Sequence, residues 1–457
     1  MSTWKITFAG GAQMPTGSNF LVELAGKKIL IDCGLVQGEK YSIPLNREEF
    51  AYGAGTVDFL FITHAHLDHV GRIPKLVRDG FKGKIISTAP TREMAELIML
   101  DSMGILAKEA KHENASQLYE EKDVFDAMKL WDTIIEYQKS YTIETENGAI
   151  SVTPHDAGHI LGSTMYVIEY QGKKVAFTGD LGNTPSPLMN DTDGIANIDY
   201  LIMESVYGDR NHKDKDKRIE IFKEAVTSTI KKGGTVLIPA FSIERTQEML
   251  LAFNELVESK QIPEVPVYLD SPLGINITSI YKKYESWFND DIKKIIKSGD
   301  DIFNFKGLIK TPAPDDSKAI NHDNRPKVII AGSGMSNGGR ILHHEARYLP
   351  DPNSTIIIAG YQSVGTLGRR IVEKEKEVYI HGEKVKVNAR LVNIHGFSAH
   401  KDSDHLVEFV GQMAPHLKKV FVVLGEPKSA YFLGQKIHEE YQVPVVIPEK
   451  GDIVEIE

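Results

Sequence analysis

Cysteine, excess positive charge and long apolar runs are what this chain has least of. Cys33 is the single cysteine in 457 residues, which excludes an internal disulfide framework and fits a reducing compartment. No stretch approaches the roughly 18 apolar residues of a membrane helix. No basic segment followed by an apolar one opens the chain, where Trp4 to Phe8 already reads as a strand. A cytoplasmic protein with no membrane partner is expected. The formal net charge is −10, so nothing global draws the chain to nucleic acid. A polyanionic substrate would have to be held by metals and a local cluster of Arg and Lys. Internal repeats and low-complexity segments are also missing.

What is present is enough for two or three domains, each with a core: 457 residues, of which 41% are hydrophobic and 25% charged. The densest chemistry is Thr63-His64-Ala65-His66-Leu67-Asp68-His69, directly after the strand-like run Val57 to Ile62. Three imidazoles and a carboxylate this close call for a cation. His64 and His66, two apart on a loop leaving a strand, can grip one ion, and Asp68 and His69 can reach a second. Nitrogen and carboxylate donors suit zinc, with manganese or iron as further fits.

Before that loop, residues 5–31 alternate as a β meander ending in Asp32, a turn former or a carboxylate that hydrogen-bonds behind the histidines. After it, Ile73, Leu76 and Val77 have helical spacing, and residues 91–139 continue it with a break at Asn114. Strands are expected at 141–153, 164–170 and 173–178. Between and after them, Gly158-His159 and Gly179-Asp180 each set one potential ligand on a glycine-flanked loop at a strand end. Residues 198–204 read as a buried strand ending at Glu204. Beyond residue 214 helices and strands alternate regularly, which implies a parallel sheet covered on both faces. Strands at 377–394 and an α/β tail complete the chain.

Asp32, His64-x-His66-x-Asp68-His69, His159 and Asp180, in this order, resemble the motif set of the metallo-β-lactamase superfamily. The segment from 208 is similar to the β-CASP insert of its nucleic-acid-processing members. The similarity is carried by Glu204 to Arg210, Ile238 to Phe241, Tyr268 to Pro272, Ser333 to Gly339, Gly360 to Arg369 and Phe397 to His400. The resemblance implies an αββα sandwich, with parts at 1–207 and 377–457, interrupted by a mainly parallel α/β domain at 208–376.

It also implies two zinc ions, with manganese as an alternative, at a centre between the two domains. His64, His66, His159 and Asp180 would hold the first ion, and Asp68, His69 and Asp180 the second. Asp68 would also orient the nucleophile, and Glu204 and His400 would act as an acid and base pair. Such a pair of cations ~3.5–4 Å apart lowers the pKa of a water toward ~7 and clamps phosphate oxygens.

The glycine-rich loop from Ser333 through Gly338 and Gly339, with Arg245, Arg340, Arg369 and Ser398, is the expected phosphate cradle. The expected reaction is phosphodiester hydrolysis of single-stranded RNA, by endo or 5′–3′ exo cleavage or both, with the strand entering between the domains. The resemblance further implies a homodimer. One position departs from the pattern: RNA-cleaving relatives have a histidine where this chain has Leu424, which weakens the second metal site unless a residue such as His395 substitutes. That departure keeps a DNA nuclease and a non-catalytic metal-binding scaffold as alternatives.

Overall fold

The computed structural model describes residues 3–38, 42–112, 115–213 and 215–456; the expected helix break at Asn114 lies outside them. The chain divides into two compact units, Met1–Asn211 with His400–Glu457, and His212–Ala399.

The first unit contains two seven-stranded sheets. One runs in the order Ile453–Ile456, Trp4–Gly10, Asn19–Leu24, Lys27–Ile31, Phe59–Phe61, Lys84–Ser87, Thr133–Ile134. The other runs Val445–Val446, Lys419–Val422, Tyr200–Met203, Lys173–Phe177, Thr164–Tyr170, Gly148–Asp156, Tyr141–Thr145. Alternating residues of both sheets meet in one core, where Phe8, Phe20 and Phe61 join Tyr166, Phe177 and Phe421. Helices Ser403–Gly411 and Pro427–Tyr441 cover the far face of the second sheet through Leu406, Val410, Leu433 and Ile437. With Ile73–Arg78, Ala89–His112 and Glu121–Leu130 in the same unit, this is the αββα arrangement.

The second unit is built on a six-stranded sheet in which every pairing is parallel: Leu308–Lys310, Val267–Asp270, Lys327–Ala331, Thr235–Pro239, Thr355–Ile358, Arg390–Asn393. Its central strands are buried on both faces and read as continuous Val, Ile and Leu runs, as parallel sheets require. Because Arg390–Asn393 pairs with Thr355–Ile358, this unit extends to residue 399, beyond the 376 boundary taken from the sequence. Three features had no sequence signal. A turn after Thr145 divides the expected 141–153 strand into a hairpin. Helices Asp290–Lys297 and Pro314–Ala319 occupy a stretch that reads as polar loop. The strand Ile453–Ile456 pairs with the opening strand Trp4–Gly10, antiparallel over Trp4 to Thr7.

Phe8 ties the two sheets, with its ring centroid 6.0 Å from Phe20 and 5.5 Å from Phe421. Phe8→Ala is expected to cost about 3–5 kcal/mol of unfolding free energy, as large-to-small changes in rigid cores do. Urea denaturation checks it, and a loss under about 1 kcal/mol would show that the sheets can close over the gap.

Candidate active site

Every residue of the metal motif leaves the carboxyl end of a strand. Asp32 follows Lys27–Ile31, His64 to His69 follow Phe59–Phe61, His159 follows Gly148–Asp156, Asp180 follows Lys173–Phe177, and Glu204 follows Tyr200–Met203. Gly148–Asp156 and Lys173–Phe177 both run antiparallel to Thr164–Tyr170, and Tyr200–Met203 runs parallel to Lys173–Phe177. Their loops therefore emerge at one edge of the sheet. Backbone packs against backbone there: a side chain at Gly34 would enter the Asp68 carbonyl, and one at Gly182 the Gly158 carbonyl. Glycine at both places is a condition of the loops converging.

The convergence is tight. His66 Nδ1 lies 3.1 Å from His64 Nε2 and 3.3 Å from His159 Nε2. Asp180 Oδ2 lies 3.4 Å from His64 Nε2 and 3.6 Å from His159 Nε2, while its Oδ1 is 3.4 Å from His69 Nε2. Asp68 Oδ2 is 3.9 Å from His69 Nε2. One ligand atom from each of His64, His66, His159 and Asp180 falls within 4.8 Å of the others, and the same holds for Asp180, Glu204 and His400. His400 Nδ1 faces Glu204 Oε2 at 3.3 Å.

Asp32 is fully buried behind this cluster. It accepts hydrogen bonds from the Thr63 amide at 2.8 Å, the Thr63 hydroxyl at 2.8 Å and the Ser18 hydroxyl at 2.9 Å, and its Oδ2 meets His69 Nδ1 at 2.7 Å. Ser18 and Thr63 are functional neighbours that the sequence reading missed. Thr63 opens the histidine stretch, but a hydroxyl carries no pattern that marks it as a support.

Burial pushes His66 and His159 well below the ordinary imidazole value, helped by His64 beside the one and His400 beside the other. The shift favours the neutral imidazole that metal ligation requires. Burial opposes charge on His69 too, but Asp180 and Asp32 outweigh it and hold this imidazole well above its usual value. Burial would raise Asp180, yet His69 and His64 bring it well below the carboxylate range. For His400 burial is overcome by Glu204, which lifts it to about 9.

These residues fit divalent cations on three counts. Neutral imidazole nitrogens face one another at distances that a shared electrophile explains. His69 Nε2 is enclosed without a hydrogen-bond partner although its Nδ1 is committed to Asp32. The donors are imidazole and carboxylate, the set that borderline cations select.

The expected phosphate groups lie in the second unit and are engaged there. The Ser333 hydroxyl accepts from the Asn337 amide at 3.0 Å and the Gly338 amide at 3.2 Å. Gly339 has φ 74° and abuts the Gly332 carbonyl, so a side chain is excluded. Arg340 donates to Asp270 Oδ1 at 2.7 Å, the Thr311 carbonyl at 2.6 Å and the Pro312 carbonyl at 2.9 Å. Arg369 Nε donates to Glu373 at 2.6 Å, Arg245 pairs with Glu248, and the Ser398 amide donates to the His395 carbonyl at 3.1 Å. Arg340 and the 337–338 amides thus each make hydrogen bonds within their own unit. Leu424 is buried in the sandwich core and offers no ligand atom.

Family models match the chain as a metallo-beta-lactamase superfamily domain over residues 21–201, a Beta-Casp domain over 246–371 and a Zn-dependent metallo-hydrolase RNA specificity domain over 384–448. Ribonuclease TTHA0252 of Thermus thermophilus is 33% identical, over 93% of this chain and 94% of that protein. The RNase J-like protein of Methanocaldococcus jannaschii is 34% identical, over 99% of each. The chain is a β-CASP member of the metallo-β-lactamase superfamily. Transcription termination factor FttA of Methanosarcina mazei matches this β-CASP chain at 32% identity, over 96% of it and 69% of the factor. A solved structure from Enterococcus faecalis, described as a protein of unknown function, shares the fold of the β-CASP chain over 100% of both, with TM-score 0.54 at 14% identity.

His66→Ala is expected to lower bound divalent metal by at least one ion per chain while leaving the fold intact. Elemental analysis and circular dichroism check this, and unchanged metal content would remove His66 from the ligand set.

Proposed function

We propose that this β-CASP chain is a divalent-metal-dependent ribonuclease that hydrolyses phosphodiester bonds in single-stranded RNA. The observation that carries it is the sharing of Asp180 between the His64, His66 and His159 cluster and the Glu204 and His400 pair. Cation ligands and a proton-transfer pair thereby face one small volume. RNA is favoured by the RNA specificity match at 384–448 and by relatives named as ribonucleases. Zinc is the proposed metal, two ions per chain, with manganese as an alternative. His64, His66, His159 and Asp180 would hold one ion; Asp68, His69 and Asp180 the other.

When bound, such cations supply a water acidified to near-neutral pKa and neutralise phosphate charge. The chain's own residues do the remainder. Asp32 takes His69 Nδ1 and so turns Nε2 toward Asp180. Asp68 stands at the rim of the cluster, placed to orient an attacking water. Glu204 accepts from the Leu181 amide at 2.5 Å and faces His400. Its charge keeps His400 protonated at neutral pH, so His400 can deliver a proton to the leaving oxygen. The single buried cysteine supports a reducing, cytoplasmic setting, and among the described residues no helix is long and apolar enough to cross a membrane. A homodimer rests on the family resemblance alone. Leu424 is the observation that favours the DNA nuclease reading.

End-labelled single-stranded RNA and DNA of one sequence, incubated with zinc or manganese beside His66→Ala, test the proposal. RNA cleavage that disappears in the variant is the expected result, and the product ladder separates endo from exo action. Cleavage of DNA alone would replace RNA as substrate, and cleavage of neither with metal bound would favour a scaffold. His400→Ala is expected to lower kcat about 10²- to 10⁴-fold with bound metal unchanged. Parallel loss of metal would instead make His400 a ligand.

A further inference from the structure

A second concave site lies in the first unit, on the outer face of the sheet whose inner face joins the sandwich core. Residues of the opening strand alternate: Ile6 and Phe8 enter the core, while Lys5, Thr7 and Ala9 line a cavity of about 370 Å³ on the opposite face. The segment 48–52, Arg72 and Lys450 complete its wall. That volume is in the range of small-molecule sites and far too small for a nucleic-acid strand.

The charges in the wall do not cancel evenly. Glu23 is matched by Lys5 at 3.4 Å and Lys28 at 3.6 Å, and Glu48 by Lys450; Glu49 lies exposed. Arg72, only 8% exposed, has no carboxylate partner among the described residues. Its Nη2 reaches the Glu48 carbonyl at 3.5 Å, its plane lies 4.4 Å from the Phe50 ring centroid, and its Nε is enclosed without a partner. The Tyr52 hydroxyl is enclosed beside the Asn19 side chain, and its ring stacks on Phe50 at 5.5 Å. A buried guanidinium without a counter-charge is costly, and a bound oxyanion is the usual remedy, because the planar fork matches its geometry.

We propose that this cavity is a ligand site separate from the metal centre, and that it takes a small phosphate monoester of mononucleotide size through the Arg72 guanidinium. Phe50, with the Arg72 guanidinium and the Lys75 ammonium at 4.4 and 4.5 Å from its ring centroid, and Tyr52 supply apolar contact for an attached ring, and Arg72 is the cation of the wall that the neighbouring carboxylates leave unmatched among the described residues. The back of the site touches the metal loop's support: Asn19, in the wall, donates to the Asp32 carbonyl at 3.0 Å, and the Arg72 amide donates to the Cys33 carbonyl at 2.9 Å. Occupancy would therefore be felt at the strand end that holds His69.

Calorimetric titration of the full-length, metal-loaded protein with inorganic phosphate, adenosine 5′-monophosphate and adenosine tests this. The metal centre is itself a phosphate binder, so His66→Ala is titrated in parallel. The expected result is one saturable component for the phosphate-bearing probes that survives in His66→Ala. It should weaken at least tenfold in Arg72→Gln and in the cavity-filling variant Ala9→Phe. Adenosine should not produce it. If Arg72→Gln does not fold, Ala9→Phe together with Lys450→Glu decides the matter. Loss of all phosphate binding in His66→Ala, indifference to the cavity variants, or equal binding of adenosine would each overturn the proposal. Tighter binding of the nucleotide than of phosphate assigns the ring to the Phe50 wall; equal binding assigns the site to phosphate alone.

Discussion

A buried carboxylate with all its charge accounted for is the constraint on which the active edge depends. Asp32 takes hydrogen bonds from Ser18 and Thr63 and meets His69, with no exposure to solvent. An ion buried this deeply survives only when its lone pairs are filled. Filling them fixes three separate chain segments to one point. Its backbone sits at φ 59°, a left-handed conformation that few residues other than glycine adopt. The hydrogen bonds hold that conformation in place, which is how strain persists at functional sites. The consequence reaches the cation ligands directly: with Nδ1 committed, His69 has only Nε2 left to offer.

The net charge of −10 then ceases to be a paradox for a protein of nucleic acid. His69 and His64 favour the ionised form of Asp180, and burial favours the uncharged forms of His66 and His159. Bound cations would make this small region positive against an acidic exterior. A field that repels polyanions generally, and attracts them only at the reacting edge, limits non-productive association. The protein's surplus of acid and its catalytic chemistry therefore act in the same direction.

Much of this was legible because metal ligation leaves a dense signature. His64, His66, Asp68 and His69 sit within one short stretch, and His159 and Asp180 sit beside glycines at strand ends; the structure brings all six to one edge. The parallel sheet was equally plain, since its buried strands are runs of Val, Ile and Leu. What could not be read was pairing over long separations and the hydrogen-bonding of ordinary residues. Ile453–Ile456 joins the opening strand from the far end of the chain, and four residues of weak alternation announce nothing. Arg340 looks like any cation beside a glycine-rich loop, yet it is committed to Asp270, Thr311 and Pro312.

Leu424 shows how a departure from a family pattern can be absorbed without disturbing the fold. Its backbone is left-handed at φ 49°, unusual for leucine and easier for histidine. Hydrogen bonds keep it there from both sides, its amide donating to the Gly11 carbonyl at 2.7 Å and its carbonyl accepting from the Ser205 amide at 3.3 Å. The loop therefore does not need a ligand at this position to keep its shape, and the leucine side chain gains burial beside Phe20 in exchange for a lost donor. In the proposed centre the two donor sets would be unequal: His64, His66, His159 and Asp180 would supply four side chains to one ion, and Asp68, His69 and a shared Asp180 three to the other. Three protein donors are what open catalytic sites use and four what closed ones use. On the proposed reading the leucine would weaken retention at the second position and leave coordination there available to substrate, while its side chain stays buried in the sandwich core.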